Sequence, residues 1–167
     1  MRGTITTISL LLLIPMTVQA QGPGRGSGQG SLFFAAGGAS GGGATTAMVH
    51  FGGNAEVLVY KGLAVGPELG FLAPWHSIGD GVGVLSANGS YNFFPRRAEQ
   101  KAVPFVTGGY TLFFRSGSAN GFNFGGGLNW WFKPKAGLRF EFRDQVWPGR
   151  YSNAAHFFEF RIGVALR

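Results

Sequence analysis

GLRFEFRDQVW (residues 137–147) and HFFEFRIGVALR (residues 156–167) are the two stretches whose reading decides the fold. In the first, Leu138, Phe140 and Phe142 alternate with Arg139, Glu141 and Arg143; in the second, Phe158, Phe160, Ile162, Val164 and Leu166 alternate with Glu159, Arg161 and smaller residues. Side chains on a strand point to opposite faces in turn. Each stretch is therefore a strand with one apolar face and one face bearing charges of both signs. In a soluble sandwich or calyx the charged face meets water. In a membrane barrel it is the apolar face that looks outward and the charges that are enclosed.

Working outward, the rest of the chain favours enclosure. Short runs rich in Phe, Val, Leu, Tyr and Trp, bounded by Gly, Pro, Asn and Ser, predict eight strands at 31–39, 49–59, 63–73, 82–94, 104–114, 122–132, 137–147 and 156–167. No stretch after Ser31 has helical periodicity. Most runs have about the 9–11 residues that a tilted strand needs to cross hydrocarbon. Closing such strands on themselves removes the exposed edges. The expected fold is all-β: an eight-stranded, antiparallel, up-and-down transmembrane barrel, monomeric, with an interior filled by side chains.

The polar faces carry Asn, Ser, Thr and Gly, and with them Glu56, Glu68, Arg139, Glu141, Arg143, Glu159 and Arg161, but no lysine. A solvated sheet edge uses lysine freely. Glutamate with arginine suits a closed lumen in which each charge has a partner, because a lone buried ion is costly. These seven residues are the expected lumen ion-pair network. A narrow ion or proton path through them is the sharper alternative. A general diffusion pore is not expected from eight strands.

Connections come in two kinds. Those after the second, fourth and sixth strands are basic and contain Lys61, Arg96, Arg97, Lys101, Lys133 and Lys135. The others, Ser40 to Met48, Pro74 to Gly81, Arg115 to Gly121 and Pro148 to Ala155, are rich in glycine and small residues. Short turns mark the periplasmic side of outer-membrane barrels and longer loops the outer side. The basic set is thus expected to contact anionic lipid headgroups. Tyr60, Tyr91, Phe93, Trp130 and Phe132 at that border, with Phe71, Phe114 and Trp147 at the other, are the expected aromatic girdles. One turn is specified further: Tyr60-Lys61-Gly62 is read as a three-residue loop pairing Val59 with Leu63, with Gly62 left-handed.

The N-terminus carries Arg2, an apolar run from Ile8 to Ile14, Pro15 and Val18-Gln19-Ala20, a secretory signal peptide over residues 1–20. Residues 21–30 read as a flexible glycine-rich leader and 31–167 as the barrel. There is no cysteine. The formal charge of +7 resides largely in the basic turns and forms no stripe, so lipid rather than nucleic acid is the expected partner. His50, His76 and His156, read as loop or strand-end residues, have no metal-ligand spacing, and neither a metal nor a cofactor is expected. Gly79-Asp80-Gly81-Val82-Gly83 precedes no helix and is a turn, not a nucleotide loop.

The signal peptide, strand count, alternation of connections and final Phe158-x-Phe160-x-Ile162-x-Val164-x-Leu166 run resemble the small eight-stranded outer-membrane barrels of the OmpA/OmpX type. The resemblance covers nearly the whole mature chain. It implies residence in the outer membrane, contact with its lipids and the barrel-assembly machinery, and an adhesion or envelope-integrity role carried by outer loops, with no enzymatic activity. In that family the last strand usually ends in an aromatic residue, whereas this chain ends Leu166-Arg167. A second, local resemblance links Arg150-Tyr151-Ser152-Asn153-Ala154 to the His-x-Ser-Asn-Ala stretch of the lipid A deacylases, implying an acyl-ester hydrolase with Ser152 as nucleophile. Arg150 stands where that family has its base, so Ser152 is read first as a turn residue.

Overall fold

A computed structural model describes residues 27–41, 44–93, 101–148 and 154–167. Its strands are β1 (Gly28–Gly41), β2 (Ala44–Tyr60), β3 (Leu63–Pro74), β4 (Val82–Asn92), β5 (Ala102–Phe114), β6 (Ser118–Lys133), β7 (Ala136–Trp147) and β8 (Ala155–Leu166), with one 3-10 turn at Ile78–Asp80. Every strand pairs antiparallel with its sequence neighbour, and β1 closes on β8 from Gly30↔Leu166 to Ser40↔His156. The fold is the expected eight-stranded up-and-down barrel.

The structure also decides which face is inside. Leu32 is 74% exposed and Phe142 57%, whereas Arg143 and Glu68 are 1% exposed and Glu159 is fully buried. A surface of Leu, Phe, Val and Ile over an interior of ions is stable only where hydrocarbon replaces water outside. This excludes the soluble calyx.

Strand bounds differ from expectation where small residues were read as loop. β1 begins at Gly28, so Gly28, Gln29 and Gly30 belong to the barrel rather than the leader; residues 1–26, with the expected signal peptide, lie outside the described residues. The expected loop from Ser40 to Met48 is mostly ladder: Gly37↔Met48 through Gly41↔Ala44 continue the β1–β2 register. β6 likewise starts at Ser118 rather than at residue 122. Ladder hydrogen bonds belong to the backbone, so glycine, serine and alanine extend a strand whenever a neighbour is already in register.

The β2–β3 turn is also corrected. Tyr60, not Val59, pairs with Leu63, and the register shift between Leu58 and Tyr60 makes Val59 an extra, bulged residue. The turn is two residues, with φ 31° at Lys61 and 97° at Gly62, the double left-handed geometry that suits the twist of a tight hairpin. The bulge returns Tyr60 to the outer face. Pro67 lies inside β3 opposite Ala87, and the β2 ladder runs on either side of it from Asn54↔Glu68 to Val57↔Val65, so the barrel tolerates the missing donor without a change of register.

Candidate functional site

The inward faces build a column of alternating charges along the lumen. At its centre Glu68 of β3 accepts from Nη1 of Arg143 and Nη1 of Arg161, each at 2.9 Å, and from Asn88 Nδ2 at 3.4 Å. Toward the turn end, Glu141 bridges Arg143 and Arg139, taking Arg139 Nε at 3.0 Å, and Arg139 Nη1 lies 3.3 Å from Glu56. Glu56 also accepts from Gln29 at 2.9 Å and Ser90 at 2.8 Å. Toward the loop end, Arg161 pairs with Glu159, which also takes Gln145 Nε2 at 3.0 Å and His50 Nδ1 at 2.9 Å. A carboxylate has no proton to give, so Nδ1 is the donor there.

The β pleat explains why these residues meet. Arg139, Glu141 and Arg143 are two apart on β7, as are Glu159 and Arg161 on β8, so each set shares a face. Pairing brings Glu141 opposite Arg161 and Arg143 opposite Glu159. Glu56 and Glu68 arrive from the far wall, which only closure of the barrel can bring near. The seven network residues expected from sequence all occupy this one column.

Sequence reading missed part of it. His50 is a fully buried lumen residue rather than a loop or strand-end residue. It shares the parity of Asn54 and Glu56, as Gln145 shares that of Arg143, and this parity was the available signal. Nor is the inner face only polar and glycine: Phe33, Leu58, Leu72, Val84, Val103, Phe105, Trp131 and Phe157 are buried among the lumen groups. Two of them cradle the arginines. The Arg139 guanidinium lies 3.8 Å from the Phe105 ring centroid and that of Arg161 4.3 Å from Phe33, so ring faces take the flat cation while its edges donate to carboxylates. Val103, Trp131 and Ala165 form an apolar layer at the turn end, with Arg167 stacked 4.3 Å over Trp131.

At that end Lys61, Lys101, Lys133 and Lys135 are exposed; Arg96 and Arg97 lie outside the described residues. Tyr60, Tyr91, Phe93, Trp130 and Phe132 project outward beside them, and Tyr91 and Phe93 meet edge to face at 5.0 Å. At the loop end Phe114 is exposed and outward, and Phe71 packs 5.5 Å from Phe51. Trp147 is a correction: it pairs with Ala155, on the lumen parity of Gln145, and lines a cavity at the mouth instead of the lipid face. That cavity, of about 510 Å³, has Ala39, Met48, Leu72, Val82, Phe113 and Phe157 as its walls.

Of the other histidines, His76 is exposed after β3, and His156 lies in β8. His156 Nδ1 is 2.8 Å from Asp144 Oδ2. Asp144 pairs across strands with Phe124 and Phe158, both exposed, so this carboxylate is on the outer wall yet only 4% exposed. Ser152 lies outside the described residues. No group of three or more metal-ligating side chains occurs among the described residues.

No family model matches the chain, and no curated protein matches it in sequence. Solved structures do. Neisserial surface protein A superposes with a TM-score of 0.67 at 13% identity, covering 83% of this chain and 96% of that one. The N-terminal β-barrel domain of Pseudomonas aeruginosa OprF gives 0.55 at 14% identity over 84% of this chain and 100% of the domain. A de novo designed transmembrane β-barrel gives 0.55 at 15% identity over 83% and 93%. A barrel designed with no natural ancestor matches as well as a natural one, so the likeness is one of architecture. In fold, the chain is a closed eight-stranded antiparallel barrel similar to the small outer-membrane β-barrels.

Proposed function

We propose that this chain is a non-conducting integral protein of the outer membrane, with a structural or interaction role, adhesion or envelope integrity, carried by the connections at its loop end. The ion-pair column supports this reading: each arginine is held by at least two carboxylate or aromatic partners, and the void recorded among Ser31, Phe33, Asn54 and Arg139 is only about 10 Å³. That is at the lower limit for one water. A proton or ion would have to displace buried pairs to pass. The four exposed lysines, with Arg96 and Arg97, serve as contacts to anionic headgroups on the periplasmic side, and the apolar wall and girdle hold the lipid. Under this reading the chain reaches the membrane through the barrel-assembly machinery.

Two measurements test this. The protein recovered in the outer-membrane fraction should migrate differently unboiled and boiled, because a closed barrel stays folded in mild detergent. In planar bilayers it should give no porin-sized conductance steps. A soluble periplasmic protein with no mobility shift, or regular conductance steps, would overturn the reading.

A second reading rests on a separate observation. The His156–Asp144 pair is an imidazole oriented by an acid through Nδ1, the arrangement a hydroxyl nucleophile requires of its base, and it lies on the membrane-facing wall four residues from Ser152 in sequence. The acid of this arrangement is Asp144, whereas Glu159 belongs to the lumen column. Under this reading Ser152→Ala and His156→Ala each abolish release of fatty acid from lipid A. Under the structural reading no such release occurs in any variant, and wild-type protein incubated with lipid A decides between them.

A further inference from the structure

We infer that the cavity at the loop end is a binding site for the alkyl chain of a single-chain amphiphile. At its inner end the cup meets the buried Leu72, Val84 and Phe157 cluster and the amide of Gln145, through which it borders the polar column with His50 and Glu159. Its volume of about 510 Å³ lies within the range of small-molecule sites. A closed lumen has no structural need for a wide apolar mouth, since the same parity is filled with ions and amides one turn of pleat deeper.

The chemistry of the lining selects the ligand. The walls offer no free charge: of the polar groups that line them, Gln145 is a neutral amide donating to Glu159, and His156 is paired with Asp144 at 2.8 Å. Arg115, the cation at the rim, already donates to the Asp80 carbonyl at 2.9 Å and the Gly79 carbonyl at 3.1 Å, tying β5 to the 3-10 turn, and it lies 3.4 Å from the Asp80 carboxylate. The part of a ligand that enters must therefore be uncharged and apolar. Ser116 and Ser118 at the rim are exposed hydroxyls, able to meet a polar headgroup that stays in water. Met48, unbranched and flexible, adapts the wall to a chain rather than to one rigid shape. One apolar end inside and one polar end outside describes a fatty acid, a fatty alcohol or a lysolipid.

The test uses the full protein in lipid nanodiscs, with the methyl group of Met48 carbon-13 labelled; it is the only methionine among the described residues. Decanol and decanoate are titrated separately, with acetate as a control lacking the chain. The expected result is a saturable shift of the Met48 resonance with decanol and decanoate, none with acetate, and its loss in Ala39→Trp, which fills the cup from β1. Ala119→Trp fills it from β6 and replaces the first variant if that one loses its heat-modifiable mobility. A shift that grows linearly without saturation and persists in the filled variants would mean that the chain only dissolves in the bilayer, and no shift at all would mean that the cup admits no chain. Either outcome overturns the proposal.

Discussion

Glu68→Ala is expected to lower the stability of the barrel by about 3–5 kcal/mol, the usual cost of removing one partner from a buried ion pair. The reason is specific to this carboxylate. Glu68 holds two guanidinium groups that are themselves 1% and 3% exposed, at 2.9 Å each, so its loss leaves two buried cations short of a counter-charge. Glu68→Gln keeps the volume and removes the charge, and it should be nearly as damaging if charge rather than packing governs. Lys135→Ala, at an exposed turn, should stay within about 0.5 kcal/mol of wild type. Urea unfolding of the vesicle-reconstituted protein, followed by tryptophan fluorescence, separates these outcomes. Equal stability of Glu68→Gln and wild type would show that the column is not held together by charge.

Gly37→Ala should prevent barrel closure. A Cβ built at Gly37 would lie 1.8 Å from the Phe158 carbonyl oxygen and 2.8 Å from Glu159 Cα, both backbone atoms of β8 across the seam that joins the first strand to the last. Flexible side chains could move aside, whereas this carbonyl can retreat only if the β1–β8 ladder opens. The expected penalty exceeds the roughly 1–3 kcal/mol usual for overpacking. Pulse-labelled cells should accumulate the variant in a form with no difference between boiled and unboiled mobility. Gly117→Ala, where an added methyl group meets nothing within 4 Å, is the matched control and should assemble normally. Normal assembly of Gly37→Ala would mean that the seam has more slack than its geometry implies.

Both predictions concern closure, and closure divides what was legible in the sequence from what was not. Alternation along 137–147 and 156–167 made the charged residues neighbours on a face before any fold was known, because strand periodicity is a local property of the backbone. The seven ionic residues of the column were legible for the same reason. His50 and Gln145 were equally available by parity but were obscured by position: His50 is the second residue of the expected strand 49–59, although β2 begins at Ala44, and Gln145 is the third residue from the end of β7. Strand ends themselves were misread from Ser40 to Met48, where small residues resemble a loop until a paired neighbour supplies the ladder. Val59 was misread because a one-residue bulge leaves no mark in composition.

By itself, then, the sequence determined the number of strands, their alternation, the segregation of lysine into turns and of glutamate with arginine into strand interiors. Each follows from the chemistry of one residue and its neighbours two apart. Only the tertiary structure decided that Glu68 reaches arginines on β7 and β8, that a cavity opens at the mouth beside Trp147, and that Asp144 meets His156. These depend on which distant walls face each other once eight strands close into a ring, and the curvature and register that set those meetings arise from the assembled ladder as a whole.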